Sequence, residues 1–124
     1  MDHDPRHRLG EAGEQLAAGH LRRLGYEIVE RNYRTRWGEL DIVATRGGTL
    51  VFVEVKTRRA GGSAGGPFEA VGPGKQSRVR KMAGGWLAQR RDRAYAAQLR
   101  FDVIGVTVDG RGRLTSLEHL EGAF

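Results

Sequence analysis

The stretch Trp37–Lys56, WGELDIVATRGGTLVFVEVK, decides the fold because it reads as two strands joined by a tight turn. Gly47-Gly48 is typical of a two-residue hairpin loop, since both positions can adopt positive φ without a steric penalty. The strands are apolar on both faces, at Leu40, Ile42, Val43, Ala44, Val51, Phe52, Val53 and Val55. Strands of this kind lie inside a sheet that is covered on both sides.

Four charged side chains interrupt these apolar strands. With Gly47-Gly48 as the loop, facing residues have numbers that sum to 95, so Asp41 lies opposite Glu54 and Glu39 opposite Lys56. All four are expected on one face, because side chains alternate with period two. Burying an unpaired polar group costs about 2 to 7 kcal/mol, and a full charge costs more. Lys56 can neutralise only one carboxylate, so we predict a metal site formed by Asp41, Glu54 and Glu39. Asp41 and Glu54 are the expected ligands, and Glu39 either supports them or binds a second ion.

The bulk composition is that of one small domain. A chain of 124 residues with 39% hydrophobic content can build one core, so residues 1–124 are expected to form a single domain. There is no apolar run near 18 residues and no signal-peptide pattern, so we expect a cytoplasmic protein with no membrane partner. The absence of cysteine excludes disulfides, a thiolate nucleophile and a cysteine-ligated zinc ion.

The charge balance favours an anionic partner. Lys and Arg number 21 against 15 Asp and Glu, which gives a formal net charge of +6 and, with an isoelectric point near 10.5, suggests nucleic acid. An ordinary solvated basic surface explains the total about equally well, so the positions carry more weight. The residues predicted to contact nucleic acid are Arg34, Arg36, Arg58, Lys75, Gln76, Arg78 and Lys81.

The remaining pattern predicts an α/β fold with a mixed sheet, in the order helix, strand, strand, strand, helix, strand and a short final strand. Outside the hairpin, the expected elements are a loose arm at 1–8, a helix from Leu9 to Leu24, a strand at 26–33, a flexible glycine-rich loop at 58–74, a helix at 75–90 and strands at 99–108 and 114–117. The loop has the composition of a segment that could close over a substrate, and an inert insertion is as consistent with it.

Several single residues have two readings each. Glu14 borders the buried stripe of the first helix, where an ordinary edge glutamate is the simpler interpretation without the hairpin carboxylates. Trp37 is assigned to the core ahead of a base-stacking role. Asp102 lies among buried strand positions and is a weaker acidic candidate. His20 and His119 stand alone in the sequence.

These residues carry a resemblance to known families. Asp41 with Glu54-Val55-Lys56 resembles the Asp and Glu-x-Lys signature of the restriction-endonuclease-like nucleases. More narrowly, the chain resembles the bacterial family UPF0102, also called YraN, which is likened to archaeal Holliday-junction resolvases. The matching segments are Gly13-Glu14 with Ala17, Arg31–Arg34, Gly38–Asp41, Val51–Arg58, Ala70-Val71, Lys75-Gln76 and Arg100–Asp102. The resemblance implies a catalytic set of Glu14, Asp41, Glu54 and Lys56 and a dimeric working form.

The leading hypothesis is a Mg²⁺- or Mn²⁺-dependent endonuclease that hydrolyses phosphodiester bonds in DNA, including branched DNA. In it, Lys56 would orient or help deprotonate a metal-bound water and offset charge on the phosphate. The alternative is a non-catalytic nucleic-acid-binding protein that keeps the nuclease fold. A third reading is an interaction module whose basic surface meets an acidic protein.

Overall fold

The computed structural model describes residues 5–61, 71–90 and 97–124. Its elements are α1 (Pro5–Arg23), β1 (Glu27–Thr35), β2 (Gly38–Arg46), β3 (Thr49–Arg59), α2 (Pro73–Gln89), β4 (Gln98–Val108) and β5 (Leu114–Leu120). The predicted α/β class and the order of the elements are confirmed.

The five strands form one mixed sheet in the order β1-β2-β3-β4-β5. The neighbours β1, β2 and β3 run antiparallel, β3 and β4 run parallel, and β5 returns antiparallel to β4. A parallel pair needs a long crossover connection, and α2 lies in the crossover from β3 to β4. The parallel pair is in register from Thr49 beside Gln98 to Arg59 beside Val108, at the centre of the sheet.

The helices cover opposite faces of the sheet. On one face, Ala17, Ala18 and Leu21 of α1 pack in a cluster that includes Ile42, Ala44, Val51, Val53, Ile104, Val106 and Val108. On the other face, Val79, Met82, Ala83 and Trp86 of α2 pack against Leu40, Val43, Leu50 and Phe52. Apolar residues on both faces of β2 and β3 are therefore explained by two helical layers. Of the helices in the described ranges, none is long and apolar enough to cross a membrane.

The predicted hairpin register is confirmed over the length of the β2–β3 ladder. Gly47 and Gly48 have φ of 56° and 82°, and the paired residues from Arg46 with Thr49 to Ile42 with Val53 have numbers that sum to 95. The ladder ends there, one residue before Asp41 and Glu54 would face each other.

The prediction that all four charges share one face is wrong, because β2 changes sides at Asp41. Leu40 packs in the α2-side cluster whereas Ile42, two residues later, packs in the α1-side cluster. Strict alternation would keep both on one face. Asn32 on the neighbouring strand has a φ of 57°, so β1 is irregular at the same level.

Several element ends differ from the predicted ones. Helix α1 begins at Pro5, inside the predicted arm, and β3 continues to Arg59. Helix α2 begins at Pro73 and β5 continues to Leu120. Apolar periodicity locates the buried part of an element, whereas polar first and last turns carry little of that signal. Residues 1–4 of the predicted arm and 62–70 of the predicted loop lie outside the described residues.

Gly13 lets α1 approach the sheet closely. A Cβ atom at this position would lie 1.8 Å from the Thr57 Oγ1 atom and 2.7 Å from the Thr57 Cβ atom. Rotation of the Thr57 side chain cannot relieve the second contact, since the Cβ atom is fixed to the backbone of β3. The helix therefore meets the strand at a glycine, and this contact sets the position of the next residue, Glu14.

We expect Gly13→Ala to lower the free energy of unfolding by about 1 to 3 kcal/mol, because α1 must move away from β3. Gly10→Ala is the matched control on the same helix, where an added Cβ meets nothing within 4 Å. The free energy of unfolding of Gly10→Ala should rise by about 0.5 to 1 kcal/mol, because alanine has a higher helix propensity than glycine. Urea unfolding followed by circular dichroism measures both changes. Equal changes in the free energy of unfolding for Gly13→Ala and Gly10→Ala would contradict the close approach of α1 to β3.

Candidate functional site

The candidate site lies where β2 and β3 separate at the end of their ladder. Glu14 from α1 and Glu39 and Asp41 from β2 each place a carboxylate oxygen within 4.8 Å of the other two. All three side chains are half-buried. We call these three residues the acidic group. Because Leu40 points toward α2, its neighbour Glu39 points toward α1, and this brings Glu39 to Glu14.

Strand β1 supplies basic partners for two of the three carboxylates. The Arg31 Nη2 atom lies 3.8 Å from Glu14 Oε1, and the Arg34 Nε atom lies 3.4 Å from Glu39 Oε2. The Asn32 side chain also hydrogen-bonds Glu14. The pKa of Glu14 is nevertheless raised, because burial and the charge of Glu39 outweigh the opposing effects of Arg31 and Asn32.

Asp41 has the least compensated charge of the site. Its Oδ2 atom accepts a hydrogen bond of 2.8 Å from the Val55 backbone N–H. Within the described parts of the chain, no basic side chain forms an ion pair with it. Burial, and then the nearby charge of Glu54, raise the pKa of Asp41 to about 8, and the Val55 hydrogen bond only partly opposes this. A cation placed at Asp41 would favour its ionised form.

Glu54 lies on the α2 side of β3 and is compensated by two lysines. It is 5% exposed. The Lys75 Nζ atom is 3.0 Å and the Lys56 Nζ atom 3.9 Å from Glu54 Oε1. The sequence associates Lys56 with Glu54 but assigns Lys75 to nucleic-acid contact alone. The first turn of α2 thus delivers a lysine to the site, a long-range contact that no local spacing indicates.

The predicted metal and catalytic residues therefore fall into two adjoining sets. Asp41 and Glu39 lie together as predicted, and their nearest carboxylate is Glu14, which the sequence offers only as a member of the catalytic set. Glu54 is not in the acidic group of the described structure. It still lies close enough to raise the pKa of Asp41.

The residues predicted to contact nucleic acid have unequal exposure. Arg34, Arg36, Arg58, Arg78 and Lys81 are exposed, whereas Lys75 and Gln76 are half-buried. The Gln76 side chain donates a hydrogen bond of 3.1 Å to the Val71 carbonyl, and its backbone N–H donates to Gly72 at 2.9 Å. Gln76 therefore holds the start of α2, and that turn presents Lys75 to Glu54.

The assignment of Trp37 to the core is wrong. Trp37 is 38% exposed in the tight β1–β2 turn, where its backbone N–H donates to Thr35 Oγ1 at 3.0 Å. The Arg36 guanidinium lies 4.5 Å and the Lys81 Nζ atom 5.8 Å from the ring centroid. Glycine at position 38, with a φ of 133°, brings the chain directly back into β2 and toward Glu39. An exposed aromatic ring therefore lies between two cations, two residues before Glu39 in the sequence.

The two histidines are not isolated, because they join a buried network around Asp102. His20 Nε2 lies 3.0 Å from His119 Nδ1, and His119 Nε2 lies 2.7 Å from Asp102 Oδ2. Arg100 donates two hydrogen bonds to Asp102, at 2.8 and 2.9 Å. Although burial raises it, the pKa of Asp102 is held at about 2 by hydrogen bonds from His119, Arg100 and the Gly122 amide. Asp102 ties α1, β4 and β5 together and lies outside the acidic group.

Comparison with known sequences matches residues 13–106 to the model of a family described as uncharacterised protein family UPF0102. The chain belongs to this family. A UPF0102 protein of Mycobacterium avium is 52% identical over 116 residues, covering 92% of this chain and 88% of the relative. One from Syntrophotalea carbinolica is 54% identical over 117 residues, covering 94% and 90%. One from Rhodococcus opacus is 47% identical over 116 residues, covering 94% and 95%.

The UPF0102 match confirms the narrower resemblance. It begins at Gly13, where α1 meets β3, and it extends into β4. The matched span therefore includes the acidic group, both lysines that contact Glu54, and Trp37.

Asp41 should make the stability of the metal-free protein depend on pH. Its pKa is higher in the folded chain, at about 8, than the usual value near 3.9 in an unfolded chain. The contribution of Asp41 to the free energy of unfolding is therefore complete below about pH 4 and is lost as the pH rises to about 8. The free energy of unfolding of Asp41→Asn, relative to that of wild type, should therefore rise by at least about 1.4 kcal/mol between pH 5 and pH 8.5. This is the equivalent of one pKa unit.

Urea unfolding in the presence of a chelator at several pH values measures this difference. Glu27→Gln serves as the control, because Glu27 is an exposed glutamate on β1. A constant difference between Asp41→Asn and wild type from pH 5 to 8.5 would show that Asp41 ionises normally.

Proposed function

We propose that the protein is a metal-dependent endonuclease that hydrolyses phosphodiester bonds in DNA. The observation that carries the proposal is the acidic group, with oxygens within 4.8 Å of one another, beside a buried glutamate that contacts two lysines. This combination of carboxylates and lysines suits phosphoryl chemistry, in which a cation and basic side chains balance the charge of the phosphate. The order of the elements and the Asp41 and Glu54-x-Lys56 pattern support a restriction-endonuclease-like origin.

The acidic group fits a hard divalent cation. Mg²⁺ holds oxygen ligands at about 2.0 to 2.1 Å, so ligands on opposite sides of one ion lie about 4.2 Å apart. Carboxylate oxygens within 4.8 Å of one another need only small side-chain movements to meet that requirement. Asp41 and Glu39 would hold Mg²⁺ or Mn²⁺, with Glu14 beside them and Glu54 on the adjoining strand. Such an ion, when bound, would supply Lewis-acid polarisation of the phosphate.

The chain's own side chains would position the strand and balance its charge. Lys56 and Lys75 hold Glu54 in place and keep positive charge beside the phosphate, where negative charge develops during hydrolysis. The exposed basic residues, which include Arg34, Arg36, Arg78 and Lys81, would contact neighbouring phosphates. Trp37 offers a ring on which an unpaired base can stack. Because stacking on Trp37 needs an unpaired base, the expected substrates are DNA molecules with unpaired or branched segments.

Further proposals concern assembly and location. A homodimer would present two such sites, as cleavage of both strands at a branch requires, and a cytoplasmic location would give access to bacterial DNA. Non-catalytic nucleic-acid binding is the alternative function. The observation favouring it is that Glu54 is balanced by Lys56 and Lys75 without any ion.

Removing the carboxylates should abolish cleavage but not DNA binding. We expect Glu39→Gln, Asp41→Asn, Glu54→Gln and Lys56→Ala to lower the cleavage rate by about 10²-fold or more, because the carboxylates would hold the cation and Lys56 would balance the negative charge of the transition state. Affinity for DNA should change by less than about threefold, because the exposed basic residues remain. Linear, flapped and four-way DNA with Mg²⁺ or Mn²⁺ are the substrates, and Glu27→Gln is the control.

Binding of Mn²⁺ gives a readout that does not depend on activity. Mn²⁺ should raise the unfolding midpoint of wild type, and much less that of Asp41→Asn, because a ligand that binds only the folded state stabilises it. If wild type cuts none of the substrates with either metal, the endonuclease is rejected in favour of non-catalytic binding. Equal Mn²⁺ stabilisation of both proteins would reject the acidic group as the metal site.

Trp37 should contribute to single-strand binding by stacking. Trp37→Ala is expected to weaken binding of a single-stranded oligonucleotide by about 5- to 100-fold, the equivalent of one stacked base. Trp37→Phe should retain most of the affinity, because it keeps an aromatic ring. Leu114→Ala removes another exposed apolar side chain and serves as the control. Fluorescence anisotropy measures all four proteins, and equal affinity of Trp37→Ala and wild type would contradict the stacking role.

A further inference from the structure

Three arginines from separate elements line one cavity. Arg8 of α1, Arg59 at the end of β3 and Arg111 in the β4–β5 turn surround a space of about 330 Å³. Small apolar residues of α1 and the two glycines of the turn complete the lining, which contains no acidic residue. The volume lies at the lower end of the range of ligand pockets, about 300 to 1,000 Å³. We call this the arginine pocket.

The elements that carry two of these arginines are held in place by backbone contacts. The Asp109 Oδ1 atom accepts hydrogen bonds from the Arg111 and Arg113 amides, at 2.8 and 2.9 Å, and this closes the turn. Arg59 is paired in register with Val108 in the parallel ladder. Arg59 and Arg111 place like charges beside one concavity, and a bound anion offsets the repulsion between such charges. Guanidinium groups bind phosphate and carboxylate oxygens through paired hydrogen bonds, and a phosphate is the anion that the proposed nucleic-acid substrate supplies.

The arginine pocket lies on the same face of the sheet as the acidic group. Val53 and Val55 pack on the α1 side of β3, and alternation places Arg59 on that side. Along α1, Arg8 precedes Glu14 by six residues, about 9 Å at 1.5 Å per residue. Along β3, Arg59 follows Val55, whose amide donates to Asp41, by four residues, about 13 Å at 3.3 Å per residue.

These spacings match a short length of nucleic acid. Phosphates of one strand of a duplex are separated by about 3.4 Å along the helix axis, so 9 to 13 Å spans about three to four nucleotides. We propose that the arginine pocket binds a backbone phosphate of the nucleic acid, about three to four nucleotides from the phosphate at the acidic group. The identity of this ligand rests on the proposed function. The pocket thereby fixes the direction in which the strand leaves the site.

Charge-removing variants test the pocket without cleavage. Arg59→Ala and Arg111→Ala should each weaken binding of a 12-nucleotide DNA strand by about 10- to 100-fold at about 0.1 M salt, the loss of a charged hydrogen bond. Each should also make the salt dependence shallower, by about 0.7 in the slope of log affinity against log salt. The controls are Arg22→Ala on α1 and Arg113→Ala in the same turn. Both arginines are exposed and outside the pocket lining. We expect them to change affinity by less than about twofold.

The outcomes separate the pocket from the nuclease. Binding is measured by fluorescence anisotropy in a chelator, in wild type and in Asp41→Asn, so the arginine effects stand even if no DNA is ever cut. Oligonucleotides of two and of twelve residues are compared, and only the longer should respond to Arg59→Ala, because it alone reaches both places. Equal losses in the pocket variants and the control variants would overturn the proposal. The proposal would also be overturned if the pocket variants lost affinity only for inorganic phosphate, measured by calorimetry. The pocket would then be a site for a small anion.

Discussion

The candidate site depends on one backbone constraint, the change of face that β2 makes at Asp41. The β2–β3 ladder ends at Ile42 and Val53, and beyond it the Asp41 carboxylate accepts the Val55 amide hydrogen bond. At this break the regular pairing of β2 with β3 ends, and the sheet opens between its two helical layers. It also turns Glu39 toward α1 while Glu54 stays on the α2 side. Without the break, the carboxylates could not be approached from both helices.

Electrostatic compensation is distributed unequally around that break. Glu54 contacts two lysines and Glu14 and Glu39 each contact one arginine, whereas Asp41 relies on a single amide. A buried carboxylate with so little support holds its proton to a higher pH, and a cation reverses the balance. The fold thus places Asp41, the least compensated carboxylate of the site, in a molecule with several exposed basic side chains. In the proposed function, the basic side chains would hold an anionic phosphate and an accompanying cation would balance Asp41.

The rest of the molecule holds these parts in position. The bare Cα of Gly13 lets α1 lie against β3, and Asp102 of β4 is linked to β5 through His119 and from there to α1 through His20. Asp102 is buried and Asp41 half-buried, both on inner strands of the sheet, yet their ionisation differs. Asp102 accepts hydrogen bonds from a histidine, an arginine and an amide, which keep it ionised. Burial alone therefore does not determine whether a carboxyl group is ionised, and its hydrogen-bond partners decide.

The sequence by itself determined the element order, the covered sheet and the hairpin register, because periodicity and a Gly-Gly turn are local properties of the chain. It also singled out Asp41, Glu39, Glu54 and Lys56, since charges in an apolar strand are conspicuous. Only the tertiary structure decided which of them meet. The change of face at Asp41, the exposure of Trp37 and the contact of Lys75 with Glu54 arise from packing between distant elements, and no spacing along the chain encodes such contacts.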